Sequence, residues 1–232
     1  MNIMIIDTET ANGLDCPLPY DIGYVIVDDE TGETLIERSF VVAEIFLDKE
    51  LMTSAYYAEK TPQYWKDIKA GKREMKRVRN IRRIISDDMT KFEVRAVGAY
   101  NMGFDRRAVK NDIRFITASY FRWFFPYNVE YFDIWNMACT SILRTPEYIE
   151  FCLDNDLISA KGNILTSAEA VYKFLIRDAS FTESHTGLED VRIETAIYFA
   201  VKHSGMTFDN SVKGAPWMKV RSYYKSYKEM GE

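Results

Sequence analysis

Long apolar runs are missing from this 232-residue chain. None approaches the ~18 residues that a membrane-crossing helix needs. The opening MNIMIIDTET has no basic stretch ahead of its acidic cluster, so neither a membrane span nor a signal peptide is expected. Histidine is scarce. His185 and His203 are the only two, which excludes a multi-histidine metal site. The three cysteines (Cys16, Cys139 and Cys152) are odd in number and far apart. They argue against a disulfide framework and a thiolate zinc site, and read as reduced thiols in a cytoplasmic protein. No internal repeat, low-complexity tract or Gly/Ser- or Pro-rich linker divides the chain, so one domain is expected. Basic residues are outnumbered, 30 Lys and Arg against 35 Asp and Glu, for a net charge of −5. That balance excludes a histone-like, generic binder of polyanions.

What is present is enough for a large core: 47 % of the residues are apolar and 14 % are aromatic. Asn2 to Ile6 reads as a buried strand that ends on Asp7. Residues 22–27 and 34–42 form a second and third strand, joined as an antiparallel hairpin by the turn chemistry of Asp28-Asp29-Glu30-Thr31-Gly32. Residues 44–90 are rich in Lys, Glu, Met and Ala and read as helical. Met75, Val78, Ile81, Ile85 and Met89 make one stripe of a helix expected over 74–89. Val94 to Tyr100 and Val129 to Phe132 are further strands. Helices are expected over 104–118, 134–143, 146–155, 167–176 and 187–202. The stretch after Thr207 is polar, basic and aromatic. Three strands, helices, then strand–helix–strand–helices make an α/β chain with a mixed sheet flanked by helices.

Acidic residues gather at predicted strand ends and helix starts. Asp7 and Glu9, two apart on an extended chain, point to the same face. Asp105 opens a helix after a strand. His185 and Asp190 bracket the start of the 187–202 helix. Strand ends on one edge of a sheet are where α/β proteins collect ligands. Four carboxylates brought together there repel one another unless cations neutralise them. Oxygen ligands at that density suit Mg²⁺ or Mn²⁺, and two such ions can hold the attacking and leaving oxygens of a phosphodiester. A nearby imidazole can take a proton from water. Each piece also has a simpler explanation. Asn101 or Asp105 would serve as a helix cap, and Glu189 and Asp190 would complement the helix dipole. Asp133 reads as a helix cap, Asp21 as a residue at the start of a strand, and His203 as a favourable charge at a helix C-terminus.

D-T-E at 7–9, N-M-G-F-D at 101–105 and H-T-G-L-E-D at 185–190 resemble, in order and rough spacing, the three motifs of the DEDDh family of 3′–5′ exonucleases. The resemblance covers about residues 1–205, and DTETANGLDCPLPYDIGYVIVD also looks like stand-alone members from bacteriophages. It implies a ribonuclease-H-like fold with antiparallel first three strands followed by parallel ones. It also implies an exonuclease domain over 1–206 with a helical insertion at about 44–90, and a C-terminal tail (207–232) packed on that domain. By the same resemblance Asp7 bridges two divalent cations, Mg²⁺ or Mn²⁺. Glu9 and Asp190 hold the ion that activates water, Asp105 supports the second, and His185 is the general base. The backbone at Thr10 and Ala11 meets the terminal nucleotide, with Thr8, Asn101 and Phe104 as further substrate-binding candidates. The implied reaction releases nucleoside 5′-monophosphates from single-stranded 3′ ends in a bacterial or phage-infected cytoplasm, with DNA favoured over RNA and no membrane or polymerase partner indicated. The alternatives are an exoribonuclease of the oligoribonuclease or ribonuclease T kind and a non-catalytic nucleic-acid-binding module.

Three more features bear on nucleic acid. Nine basic residues (66, 69, 72, 73, 76, 77, 79, 82 and 83) stand against two acids between Lys66 and Arg83. They read either as a phosphate-binding patch or as a solvated helix face. Lys213, Lys219, Arg221, Lys225 and Lys228 are interleaved with Trp217, Tyr223, Tyr224 and Tyr227, a pattern for base stacking or for packing of the tail. Nine rings lie between Tyr120 and Trp135; they could stack on bases, but core packing under a loop is the expectation for them.

Overall fold

The computed structural model describes residues 1–119 and 123–231. Its spine is β1 (Asn2–Ala11), hydrogen-bonded on both sides. Ile3, Met4, Ile5 and Ile6 are all buried, as a strand covered on both faces requires. The strand runs five residues past Ile6 and carries Asp7 and Glu9 within it. Antiparallel to it lies β2 (Leu18–Asp28), which pairs in turn with antiparallel β3 (Thr34–Val42). The intervening turn is fastened by the Asp28 carboxylate, which accepts from the backbone N–H groups of Glu30 and Thr31 at 2.9 and 2.7 Å.

Short helices α1 (Ala43–Phe46) and α2 (Lys49–Thr53) follow, then a 3₁₀ turn (Ala58–Lys60) and α3 (Thr61–Lys69). The helix expected over 74–89 is shorter at its start. Residues Glu74–Lys76 form β4, parallel to β3 with Met75 opposite Val41, and the helix α4 spans Val78–Lys91. Met75 sits three residues before Val78, so a strand residue happened to continue the helical stripe. Val78, Ile81, Ile85 and Met89 are buried as expected. Next come β5 (Val94–Ala99), parallel to β1, then α5 (Met102–Thr117), β6 (Glu130–Asp133), α6 (Ile134–Thr140), α7 (Pro146–Asp154), α8 (Ala168–Ile176), α9 (Gly187–His203) and α10 (Trp217–Gly231). The strand order is β4-β3-β2-β1-β5-β6. This is a mixed α/β sheet flanked by helices.

The chain packs as two compact units. The first is Met1–Gly98, Phe104–Glu130 and Ser184–Val191; the second is Ala99–Gly103, Tyr131–Glu183 and Arg192–Glu232. In the second unit, α10 buries Val220 and Tyr224, one turn apart on one face. Asp133 caps α6 by accepting from the Asn136 N–H at 3.1 Å, and it also accepts from the Asn101 N–H at 3.4 Å. His203 is the last residue of α9, the end of a helix that favours cationic side chains. Cys139 and Cys152 are buried and Cys16 is exposed, all as free thiols. Among the described residues, no helix is long and apolar enough to cross a membrane.

The Asp133 cap has a cost. Its Oδ2 is buried with no hydrogen-bond partner among the described residues, and burial raises the carboxyl from 3.8 to about 6, against the lowering effect of the backbone N–H donors. The folded state therefore holds this proton more tightly than the unfolded chain does. Stability is lost as pH climbs from about 4 through about 6. Asp133→Asn keeps an acceptor at the cap and removes the penalty. It should stabilise the protein at pH 8 by up to about 3 kcal/mol, while leaving pH 4 nearly unchanged. Urea denaturation at the two pH values checks this; equal shifts at both would assign the effect to something other than the buried charge.

Candidate active site

The far half of β1 organises the site. Asp7 and Glu9 are half-buried, and Thr8 between them is buried. A break in register with β2 falls between Glu9 and Thr10. Such a bulge bends the strand locally and re-aims its side chains. The Thr8 hydroxyl donates to Asp105 Oδ1 at 2.8 Å, so the first turn of α5 is tied to the middle residue of D-T-E. Asp105 is itself buried.

The third motif reaches β1 because two glycines let it. A side chain on Gly23 of β2 would meet Gly187 C and Leu188 N at 2.2 Å. One on Gly187 would lie 2.8 Å from Gly23 N and 3.3 Å from the Asp7 carbonyl. Backbone therefore packs on backbone, and α9 begins directly against the sheet. This brings a Glu9 oxygen, a His185 ring nitrogen and an Asp190 oxygen within 4.8 Å of one another. Asp7, two residues before Glu9, and Asp105, bonded to Thr8, stand outside that tight group. All five residues nonetheless converge on residues 7–9 of β1.

His185 is held in place from within the 44–90 stretch, which the family resemblance marks only as a helical insertion. Its backbone is left-handed, with φ of 49°, a costly conformation for a residue with a side chain. The Tyr57 ring stacks on its imidazole, with centroids 4.3 Å apart and planes 11° from parallel. The Lys60 ammonium donates to the Ser184 carbonyl, approaches the His185 carbonyl at 3.5 Å, and lies 4.7 Å over the Tyr57 ring. Tyr57 and Lys60 belong to no motif, and no spacing in the sequence announces them.

A buried polar network fixes the start of α9. Asp21 is fully buried rather than a simple strand-start residue. Its Oδ2 accepts from the Gly187 N–H (2.9 Å), the Tyr64 hydroxyl (2.6 Å) and Arg73 (3.1 Å). Arg73 also donates to Ser39 (2.8 Å), Asp67 (3.3 Å) and Glu189 (2.8 Å). Burial pushes the Asp21 carboxyl up, opposed by Arg73 and Tyr64. Burial likewise acts to raise Glu189, but Thr186 and Arg73 outweigh it and hold that carboxyl below its ordinary value. Arg73 is thus withdrawn from the 66–83 basic group. Its neighbours Lys66, Lys69, Lys72, Arg77, Arg79, Arg82 and Arg83 remain exposed, and Arg82 donates to the Trp123 and Phe124 carbonyls.

The substrate-side candidates are scattered. Thr10 is half-buried and Ala11 buried at the end of β1; Phe104 is half-buried under Arg107, whose guanidinium lies 5.6 Å from the ring centroid. Asn101 belongs to the second unit and precedes α5 with φ of 77°. Of the ring-rich stretch, Phe124, Phe125 and Phe132 are buried as core, while Trp123 and Tyr127 are exposed; Tyr120, Phe121 and Arg122 lie outside the described residues.

No protein-family model and no curated protein sequence matches the chain. Solved structures do. A 3′-exonuclease shown in 3′-end-specific recognition of a histone mRNA stem-loop superposes with a TM-score of 0.53 at 10 % identity, covering 90 % of this chain and 84 % of its own. Escherichia coli exonuclease I bound to a dA16 oligonucleotide superposes at 0.50 and 14 % identity, covering 99 % of this chain and 45 % of its own. A zinc-bound complex of the same enzyme with single-stranded DNA gives 0.50 at 13 % identity, covering 99 % and 44 %. The fold is ribonuclease-H-like. This chain spans less than half the length of the exonuclease I chains it resembles, so the likeness describes one part of those enzymes.

Proposed function

We propose that the chain is a metal-dependent 3′–5′ exonuclease that hydrolyses single-stranded nucleic acid from its 3′ end, DNA favoured, releasing nucleoside 5′-monophosphates. One observation carries the reading: Glu9, His185 and Asp190, from stretches nearly 180 residues apart, present ligand atoms within 4.8 Å of one another on a fold shared with 3′-exonucleases. In this proposal residues 1–206 are the nuclease domain, 44–90 its helical insertion and 207–232 its C-terminal tail.

The donor set fits a hard divalent cation. Two carboxylates converge with one imidazole, and Asp7 and Asp105 flank them with more oxygen ligands. In the proposal Glu9 and Asp190 would hold one ion, and Asp7 and Asp105 would provide oxygen ligands for a second. Mg²⁺ or Mn²⁺ bound there would neutralise the scissile phosphate and lower the pKa of a water. The chain supplies the rest. The His185 imidazole accepts a proton from the attacking water, its ring held by the Tyr57 face and its backbone by Lys60. The Thr10 and Ala11 backbone positions the terminal nucleotide.

His185→Ala should lower turnover by about 10²–10⁴-fold. Tyr57→Ala, which leaves the imidazole but removes its stacking partner, should lower kcat by about tenfold or more with a smaller change in KM; Tyr57→Phe should restore it. Steady-state kinetics on a short oligonucleotide decide, and an unchanged kcat in Tyr57→Ala would remove Tyr57 from the mechanism. The function itself is tested with 5′-labelled DNA and RNA oligomers of matched sequence. A ladder shortening from the 3′ end with Mn²⁺ and absent with chelator is expected, faster on DNA. Retention without cleavage would instead mark a binding module, and cleavage confined to RNA an exoribonuclease.

A further inference from the structure

The second unit holds a cavity of about 580 Å³ whose walls include Tyr100, Trp135, Trp217, Asn101, Asn163 and Lys161. We propose that this cavity binds a nucleobase of single-stranded nucleic acid, as a subsite apart from the Glu9–His185–Asp190 cluster. Its size is within the ~300–1,000 Å³ usual for small-molecule sites. The Tyr100 and Trp135 rings stack with centroids 6.3 Å apart and planes at 29°. Their polar ends are already spent on one residue: the Tyr100 hydroxyl donates to the Thr166 carbonyl at 2.6 Å, and Trp135 Nε1 donates to Thr166 Oγ1 at 3.1 Å. Both rings are therefore fixed before any ligand arrives, and what they offer the cavity is ring surface. Trp217, half-buried at the start of α10, adds a third. Ring faces bind bases without regard to sequence. The amides of Asn101 and Asn163 supply both donors and acceptors for a base edge.

Charge favours the same occupant. In a chain of net charge −5, no acid among the described residues lines this cavity, and the one charged side chain among them, Lys161, is exposed on a turn. A second hollow of about 380 Å³, also bordered by α10, is lined by Arg144, Lys219, Ser222, Tyr223 and Ser226, again with no acid among the described residues. Lys219 is shared with Asn136 (3.2 Å) and Asp209 (3.6 Å), which leaves Arg144 as the stronger phosphate contact. The alternation of rings and cations in the C-terminal stretch thus has a use beyond packing: Val220 and Tyr224 anchor α10, while Trp217 and Tyr223 face hollows.

The subsite is tested without hydrolysis, so its failure and that of the nuclease reading are distinguishable. Anisotropy of a 5′-fluorescein oligothymidylate 8-mer is followed in chelator, beside an abasic 8-mer of equal charge. Trp217→Ala should weaken the oligothymidylate by about 5- to 100-fold and leave the weaker abasic strand unchanged, while Trp217→Phe should retain most of the affinity. Lys161→Glu, on an exposed turn and harmless to folding, should weaken both strands and keeps the test valid should Trp217→Ala melt early. Equal affinity for the two strands, no loss in either variant, or equally tight binding of an acidic peptide would overturn the proposal.

Discussion

Glu9→Gln should abolish the proposed nuclease activity while leaving the protein folded. Loss of one carboxylate from the converged group removes several kcal/mol of transition-state stabilisation, or about 10³-fold in rate or more. Glu9 is half-buried, near the end of β1 and beyond its apolar core, so the change in stability should stay within about 1 kcal/mol. The pairing of effects matters. A cluster that existed only as an ion-pair arrangement at the start of α9 would show the opposite pattern, with stability lost and any activity barely moved. Single-turnover cleavage and urea denaturation of the same preparation separate the two.

The largest stability effect should come from Arg73→Met. Arg73 faces the fully buried Asp21, and removing it strands a carboxylate away from water. Breaking a buried pair from one side costs about 3–5 kcal/mol. The loss should be greatest at pH 8 and shrink as pH falls. Asp21 already titrates above its ordinary value because of burial; without Arg73 it is pushed higher still, and protonation then relieves the stranded charge. Activity should fall too, because Asp21 accepts from the Gly187 N–H and so seats the helix that carries Asp190. A loss below about 1 kcal/mol, or one independent of pH, would mean that the network does not hold α9 in place.

Much of this could be read from residue order alone, for identifiable reasons. Continuous apolar runs such as Ile3–Ile6 and 22–27 have one natural home, a strand covered on both faces; D-T-E follows the first directly, though the strand continues to Ala11 and carries both acids within it. Period-3.6 stripes found α4, and the Asp28 turn found the hairpin. The failures share a cause: they depend on tertiary contacts that leave no local trace. β4 is three residues long and exists because β3 offers it an edge, while Met75 mimics the helical stripe that follows. Arg73 reads as one more cation in a basic run until Asp21, 52 positions earlier in the chain, is placed beside it. Tyr57 and Lys60 gain meaning only when the His185 loop lies against them. The α10 helix was within reach, since Trp217, Val220, Tyr224 and Tyr227 are spaced three and four apart; the dense charge between them hid the stripe.

Glu9 and Asp190, beside the His185 imidazole, should together take up a divalent cation. Titrating Mn²⁺ into the protein, with free Mn²⁺ followed by electron paramagnetic resonance, tests it most directly. The wild-type chain should take up Mn²⁺, and uptake should weaken by about tenfold or more in Asp190→Asn and in Glu9→Gln. Uptake of equal strength in all three proteins, or none in the wild type, would contradict it.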